Sequence, residues 1–262
     1  MDAGVTTVIN VGVDVDLSKK ALEQVNGTLA DIPNLKAYST IGIHPHESVK
    51  YLTNPDLSLD KDIASLEEIY LSDKTKVVAV GECGLDYLEV DEKMKGTFFP
   101  SEIKDMQKRL FQAQIDLARK LNLPLIVHCR DDKSKDPSNS EAWDEILEMI
   151  SDHPTILHCY SGLDKTTQKV LKMPNTYVSF AATITYPKND YLREAAKLLP
   201  LEKIVLETDC PFLPPQSKRG QRNEPAFVYE IAQLVADLKG ISLEEVSAQT
   251  TANTVKIFAF PS

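Results

Sequence analysis

Short apolar runs rich in β-branched residues recur along the chain, each followed by a turn and then by a longer stretch whose apolar positions return at helical spacing. The runs at 5–11, 36–43, 76–80, 123–127, 154–157, 176–180 and 203–206 predict seven strands. The stretches at 17–30, 58–72, 103–121, 141–150, 164–171 and 191–198 predict the helices between them, and 226–239 and 243–259 predict two more after the last strand. This alternation is the mark of parallel βα units. Strands apolar on both faces fit a closed sheet covered by helices, so the expected fold is α/β, a TIM-like (β/α) barrel, in one domain spanning 1–262. Because the chain opens almost at once on a strand, the first strand and helix of an eight-fold barrel are expected to be lacking, and an amino-terminally shortened form is expected.

In such a barrel the chemistry belongs to the loops after the strand carboxyl ends. Glu82, His44, His128, His158 and Asp209 all come at or just after those ends. Two long polar loops, 86–100 and 211–222, break the βα rhythm on the same side and are candidates for substrate contact, whereas 131–140 reads as a solvated loop before a helix.

Composition narrows the picture further. With 262 residues, 42% of them hydrophobic, the chain is too apolar for disorder and long enough for one large barrel. No apolar run approaches the roughly 20 residues of a membrane span, and the start lacks the basic-then-apolar layout of a signal peptide, so the expected location is cytoplasmic or nuclear, with no membrane partner. A net charge of -10 argues against a broad basic nucleic-acid face, yet cations held by gathered carboxylates supply positive charge locally. The four cysteines, 83, 129, 159 and 210, each follow a potential ligand directly. Strand alternation would turn them away from the ligands, so they are expected to be buried packing residues.

A water-activating divalent cation needs imidazoles and carboxylates converging from different elements. Glu82 emerges between glycines at the end of an apolar run, where a lone buried carboxylate is costly, and either a metal or an arginine would answer it. Glu207 and Asp209 read as sharing one strand face, which again asks for a metal or an arginine between them. His128 and His158 both close apolar strands. In His44-Pro45-His46 the proline makes a rigid turn, so His44 is read as a substrate-phosphate contact and His46 is left open. Arg130 and Arg222 are candidate bidentate phosphate ligands. The alternative for Arg222-Asn223-Glu224 is a helix-start motif that ties the last loop down, with Pro225 in the first turn.

Gly42-Ile43-His44-Pro45-His46, Gly81-Glu82-Cys83-Gly84-Leu85-Asp86, His128-Cys129-Arg130, His158-Cys159-Tyr160-Ser161-Gly162, Glu207-Thr208-Asp209-Cys210-Pro211 and Arg222-Asn223-Glu224-Pro225 follow one another in the order of the signature blocks of the TatD-type deoxyribonucleases. The chain resembles that family of the amidohydrolase superfamily from about residue 3 to residue 258. The resemblance implies one or two divalent metal ions (Mg, Mn or Zn) and hydrolysis of DNA, also RNA, by metal-activated water, as a 3′–5′ exonuclease and also as an endonuclease. It implies that Glu82 bridges two metals, that His128 and His158 hold the second with it, and that Asp209 binds the first and acts as general base. Family members that open on a strand bearing His-x-His complete the first site with it, and that strand is not seen here. Two other readings stand beside this one: a small-molecule amidohydrolase, and a catalytically inactive barrel kept as a binding protein.

Overall fold

The computed structural model describes residues 4–88, 100–133 and 136–260. They fall into two compact units, built on residues 7–155 and 156–259. The first contains β1 (Thr7–Asn10), α1 (Val15–Asn26), β2 (Lys36–Ile41), α2 (Ser48–Thr53), α3 (Leu59–Ser72), β3 (Val77–Asp86), α4 (Pro100–Leu121), β4 (Leu125–Arg130) and α5 (Glu141–Ile150). After β5 (Thr155–Leu157), the second contains α6 (Asp164–Val170), β6 (Thr176–Phe180), α7 (Asp190–Leu198), β7 (Ile204–Leu206), α8 (Val228–Lys239) and α9 (Leu243–Phe258).

All seven predicted strands are present, in parallel pairings of β1 with β2, β2 with β3, β3 with β4, and β6 with β7. In β2 every residue after Lys36 is buried, and in β3 every residue but Glu82. Such double-faced burial explains the unbroken apolar runs, since helices must cover the sheet on the side away from the strand interior. Helix starts follow local chemistry. Asp14 caps α1 by accepting from Leu17 N at 2.6 Å, and Ser242 with Glu245 forms a capping box at α9. Gly240 ends α8 in the left-handed conformation, φ 67°.

Three differences from the sequence reading matter. β3 does not stop at Val80 but continues through Glu82 to Asp86. The segment 45–53, without a predicted element, is a 3₁₀ turn followed by α2. Of the loop expected at 86–100, residues 89–99 lie outside the described residues, as do 134 and 135 of the loop expected at 131–140. Asp131 at the head of that second loop is buried rather than solvated, its Oδ1 accepting from Ala142 N at 2.7 Å. Among the described residues no helix is long and apolar enough to cross a membrane.

Two glutamines of α4, seven residues apart and so on one helical face, are buried against the strand ends. Gln114 grips the backbone of Ile43, accepting from its N at 2.7 Å and donating to its O at 2.9 Å. Gln107 grips Asp86 in the same way, at 2.9 Å in each direction. Each amide thereby satisfies both backbone groups of one residue in a place water does not reach. The consequence is positional: His44 and the Asp86 carboxylate are hung from a single helix.

Candidate functional site

Polar chemistry in the first unit gathers at the carboxyl ends of β2, β3 and β4. In the β3–β4 register Gly84 is opposite His128. Glu82 and Asp86 flank Gly84 two residues to either side, and strand alternation puts both carboxylates on its face. The imidazole of His128 lies between them: Nδ1 is 2.9 Å from Glu82 Oε1 and Nε2 is 3.1 Å from Asp86 Oδ2. A methyl group on Gly84, whose φ is 135°, would come within 2.0 Å of the His128 carbonyl oxygen. Only glycine permits this approach of the two strands.

Electrostatics follow from that sandwich. Burial disfavours the charged imidazolium, but the bonds to Asp86 and Glu82 outweigh it and raise His128 to about 9. Burial likewise opposes the Asp86 carboxylate, yet donors from His128 and from His46, whose Nε2 is 2.9 Å away, hold it well below the usual carboxylate range. His44 behaves differently. Burial pushes it down from the ordinary histidine value. Its Nδ1 accepts from the His46 main-chain N at 3.2 Å, which leaves the ring proton on Nε2, 3.5 Å from Glu82 Oε1. Ligand atoms of His44, Glu82 and His128 all lie within 4.8 Å of one another, a grouping able to hold a metal ion.

The second unit repeats the motif of an imidazole between two carboxylates. His158 Nδ1 is 2.8 Å from Glu207 Oε1, and its Nε2 is 3.8 Å from Asp209 Oδ1. Glu207 is itself held by Cys159 N, which donates to Oε1 at 2.7 Å. The sequence reading put Glu207 and Asp209 on one strand face, whereas β7 ends at Leu206 and Asp209 has φ 57°. The His158 imidazole approaches both acids.

Backbone turns also overturn part of the cysteine expectation. Cys83 and Cys129 are buried in β3 and β4, but Cys159, at φ 41°, is half-buried and Cys210 is exposed. Alternation governs only residues that are in a strand. Arg130 and Arg222 both present exposed side chains. Asn223 beside Arg222 is buried, and its Nδ2 donates to Thr208 O and Phe212 O at 2.6 Å each and to Leu213 O at 3.3 Å. The loop-tying half of the helix-start alternative is therefore present, with Pro225 opening a 3₁₀ turn.

Sequence reasoning missed Asp86 and Glu207 as carboxylates orienting His128 and His158. For Asp86 the signal was its even spacing from Glu82, hidden once the strand was ended at Val80. For Glu207 the acid was noticed, but its partner comes from 49 residues upstream.

The family model described as TatD related DNase matches residues 1–259. The chain is 34% identical over 226 residues to the "uncharacterized metal-dependent hydrolase YabD" of Bacillus subtilis, covering 84% of this chain and 77% of that protein. It is 29% identical over 261 residues to the "3′-5′ ssDNA/RNA exonuclease TatD" of Pantoea ananatis, covering 98% and 89%. Among solved structures, the TatD homologue YjjV of Escherichia coli K12 superposes with a TM-score of 0.77 at 25% identity, covering 99% of this chain and 88% of that one. The fold is thus the TIM-like β/α barrel class of the TatD homologues.

Proposed function

Since the chain belongs to the TatD-related DNase family of metal-dependent hydrolases, we propose that it hydrolyses phosphodiester bonds of DNA from the 3′ end, with RNA as a second substrate. The name of the Pantoea ananatis relative supports the direction of attack and the inclusion of RNA. One family model running through 1–259 supports treating 1–262 as a single hydrolase domain.

The observation that carries the reading is the Glu82–His128–Asp86 line. Both ring nitrogens of His128 face carboxylates, Nε2 the buried Asp86 and Nδ1 Glu82 at 2.9 Å, which favours the charged ring. Binding of a divalent cation would displace the Nδ1 proton while Asp86 keeps Nε2–H. This is the arrangement of a metal-binding histidine oriented by an acid behind it. The donor set fits one or two divalent cations, Mg, Mn or Zn, with Glu82 and His128 as ligands. In the second unit His158, oriented through Nδ1 by Glu207, and Asp209 are proposed as ligands on the same grounds. A divalent cation, when bound, supplies Lewis-acid charge that polarises a phosphoryl oxygen and makes water more acidic.

The remaining roles belong to the chain itself. Asp209, more open than Asp86, accepts the proton from the attacking water as general base. His44 carries its proton on Nε2, 3.5 Å from Glu82 Oε1, and a protonated nitrogen donates rather than ligates, which supports a substrate-phosphate contact. Arg130 and Arg222 are exposed guanidiniums suited to further phosphate contacts.

End-labelled single-stranded DNA, duplex DNA and RNA incubated with Mg, Mn or Zn, with chelator as control, test the reading. Stepwise shortening from the 3′ end, abolished by chelator, is expected. Tight metal binding without cleavage of any strand would overturn it in favour of an inactive binding barrel, and turnover of cyclic amides alone would favour a small-molecule amidohydrolase.

A further inference from the structure

We propose that Phe212, on the same 211–222 loop as Lys218 and Arg219, is a stacking platform for the bases of a single-stranded nucleic acid. This deepens the function proposed above and rests on it for the nature of the substrate. A single exposed apolar side chain is ordinary on a protein surface and needs no explanation. Phe212 is set apart by three other features. It is 68% exposed, the largest value among the exposed large hydrophobic residues described. It follows Asp209 by three residues and is bonded to it, Phe212 N donating to Asp209 O at 3.0 Å. The loop that carries it is also pinned at every turn. Asn223 Nδ2 donates to Phe212 O, Tyr186 Oη donates to Pro214 O at 2.9 Å, and Gln216 N donates to Thr185 Oγ1 at 2.8 Å. An aromatic ring on a backbone anchored in this way has less conformational freedom to lose when a flat partner covers it than one on an unanchored loop.

Charge selects that partner. Residues 211–222 contain three basic residues and no acid, within a chain of net charge -10. Two of the cations already lie over rings: the Arg219 guanidinium carbon is 4.5 Å from the centroid of Tyr186, and Lys218 Nζ is 5.8 Å from that of Phe227. Stacking fixes the guanidinium plane while its N–H groups remain available to phosphate oxygens. Aromatic faces interleaved with cations match a strand whose bases are unpaired and whose backbone is anionic. A duplex hides its base faces inside the stack, so Phe212 favours single strands.

Fluorescence anisotropy of the full chain tests this, with a labelled single-stranded oligonucleotide and an abasic strand of equal length, in chelator so that no strand is cut. Phe212→Ala is expected to weaken binding of the base-bearing strand by about 5- to 150-fold, the usual weight of one stacked base, and that of the abasic strand by less than about twofold. Phe212→Trp is expected to retain affinity, and Arg219→Ala to weaken both strands alike. Because Phe212 is exposed, the thermal midpoint of Phe212→Ala is expected to match that of the unaltered protein. Unchanged affinity in Phe212→Ala, an equal loss on both strands, or no binding of either strand by the unaltered protein would overturn the platform. Base-dependent loss in a protein that cuts no strand would leave the platform standing and remove the nuclease reading. Cleavage by a protein indifferent to Phe212→Ala would do the reverse.

Discussion

Gln107 of α4 holds Asp86 at the end of β3 through both halves of its amide, accepting from the backbone N and donating to the backbone O at 2.9 Å each. The Asp86 carboxylate, left free of that task, turns to His46 and His128. Gln107→Leu would strand a buried N–H and a buried carbonyl together. A loss of ~2–6 kcal/mol in unfolding free energy is expected by urea titration, at 1–3 kcal/mol for each unsatisfied group. Metal affinity should fall with it, as the acid behind His128 loses its fixed position. Stability within ~0.5 kcal/mol of the unaltered chain would show that the clamp is dispensable.

Gly84→Ala is expected to be more disruptive than its single methyl group suggests. The added carbon meets the His128 carbonyl oxygen at 2.0 Å, and both partners are backbone. Strand β4 would have to move away from β3, taking His128 out from between Glu82 and Asp86. Overpacking and the positive φ together should cost at least ~2 kcal/mol. Calorimetric titration with Zn or Mn should show the metal response lost in any soluble protein recovered, and a normal titration would refute the register argument.

Substitution of the proposed ligands and base should separate binding from turnover. Glu82→Gln and His128→Ala are expected to weaken metal affinity by about 10-fold or more, read as metal content after dialysis. Asp209→Asn keeps the shape of the side chain but removes the base, and hydrolysis should drop by about 10²–10⁴-fold, the usual contribution of a positioned base. Unchanged hydrolysis in Asp209→Asn would dismiss that role.

Asp131, next to Arg130 in the chain, predicts a pH effect on stability. Its Oδ2 is buried with no hydrogen-bond partner, and burial pushes its carboxyl up to about 6. The unfolded group titrates near 3.8, so between about pH 4 and pH 6 the folded chain binds more protons than the unfolded one. Stability from this group therefore declines as pH rises through that window, by roughly 1–2 kcal/mol once solvent screening is allowed for. Melting curves from pH 4 to pH 7 should show the decline, and Asp131→Asn should flatten it. An equally steep profile in the variant would assign the effect elsewhere.

The order of elements was legible because it depends on near neighbours. Apolar runs such as 176–180 coincide with β6 to the residue, and Glu141–Ile150 was readable as α5 from its period alone. The residue types of the candidate site, Glu82, His128, His158 and Asp209, were legible for a related reason. An ionisable group closing an apolar strand contradicts its surroundings, and that contradiction is visible in one dimension.

What the linear order could not supply was the partner of each group. Asp86 looked like the start of a loop because a polar residue after Gly-Leu ends most apolar runs. Only the pairing of β3 with β4, bulged between Val80 and Cys83, sets Gly84 opposite His128 and makes the two flanking acids its clamp. Gln107 and Gln114 read as ordinary polar positions of a helix until α4 is laid against the strand ends. The cysteines went astray at 159 and 210, where positive-φ backbone breaks the alternation on which the expectation relied. Local propensity and periodicity are properties of a few consecutive residues, and they settled which elements this chain builds. Hydrogen-bond partners 21 to 71 residues apart depend on how those elements pack, and that packing alone determined which carboxylate faces which imidazole.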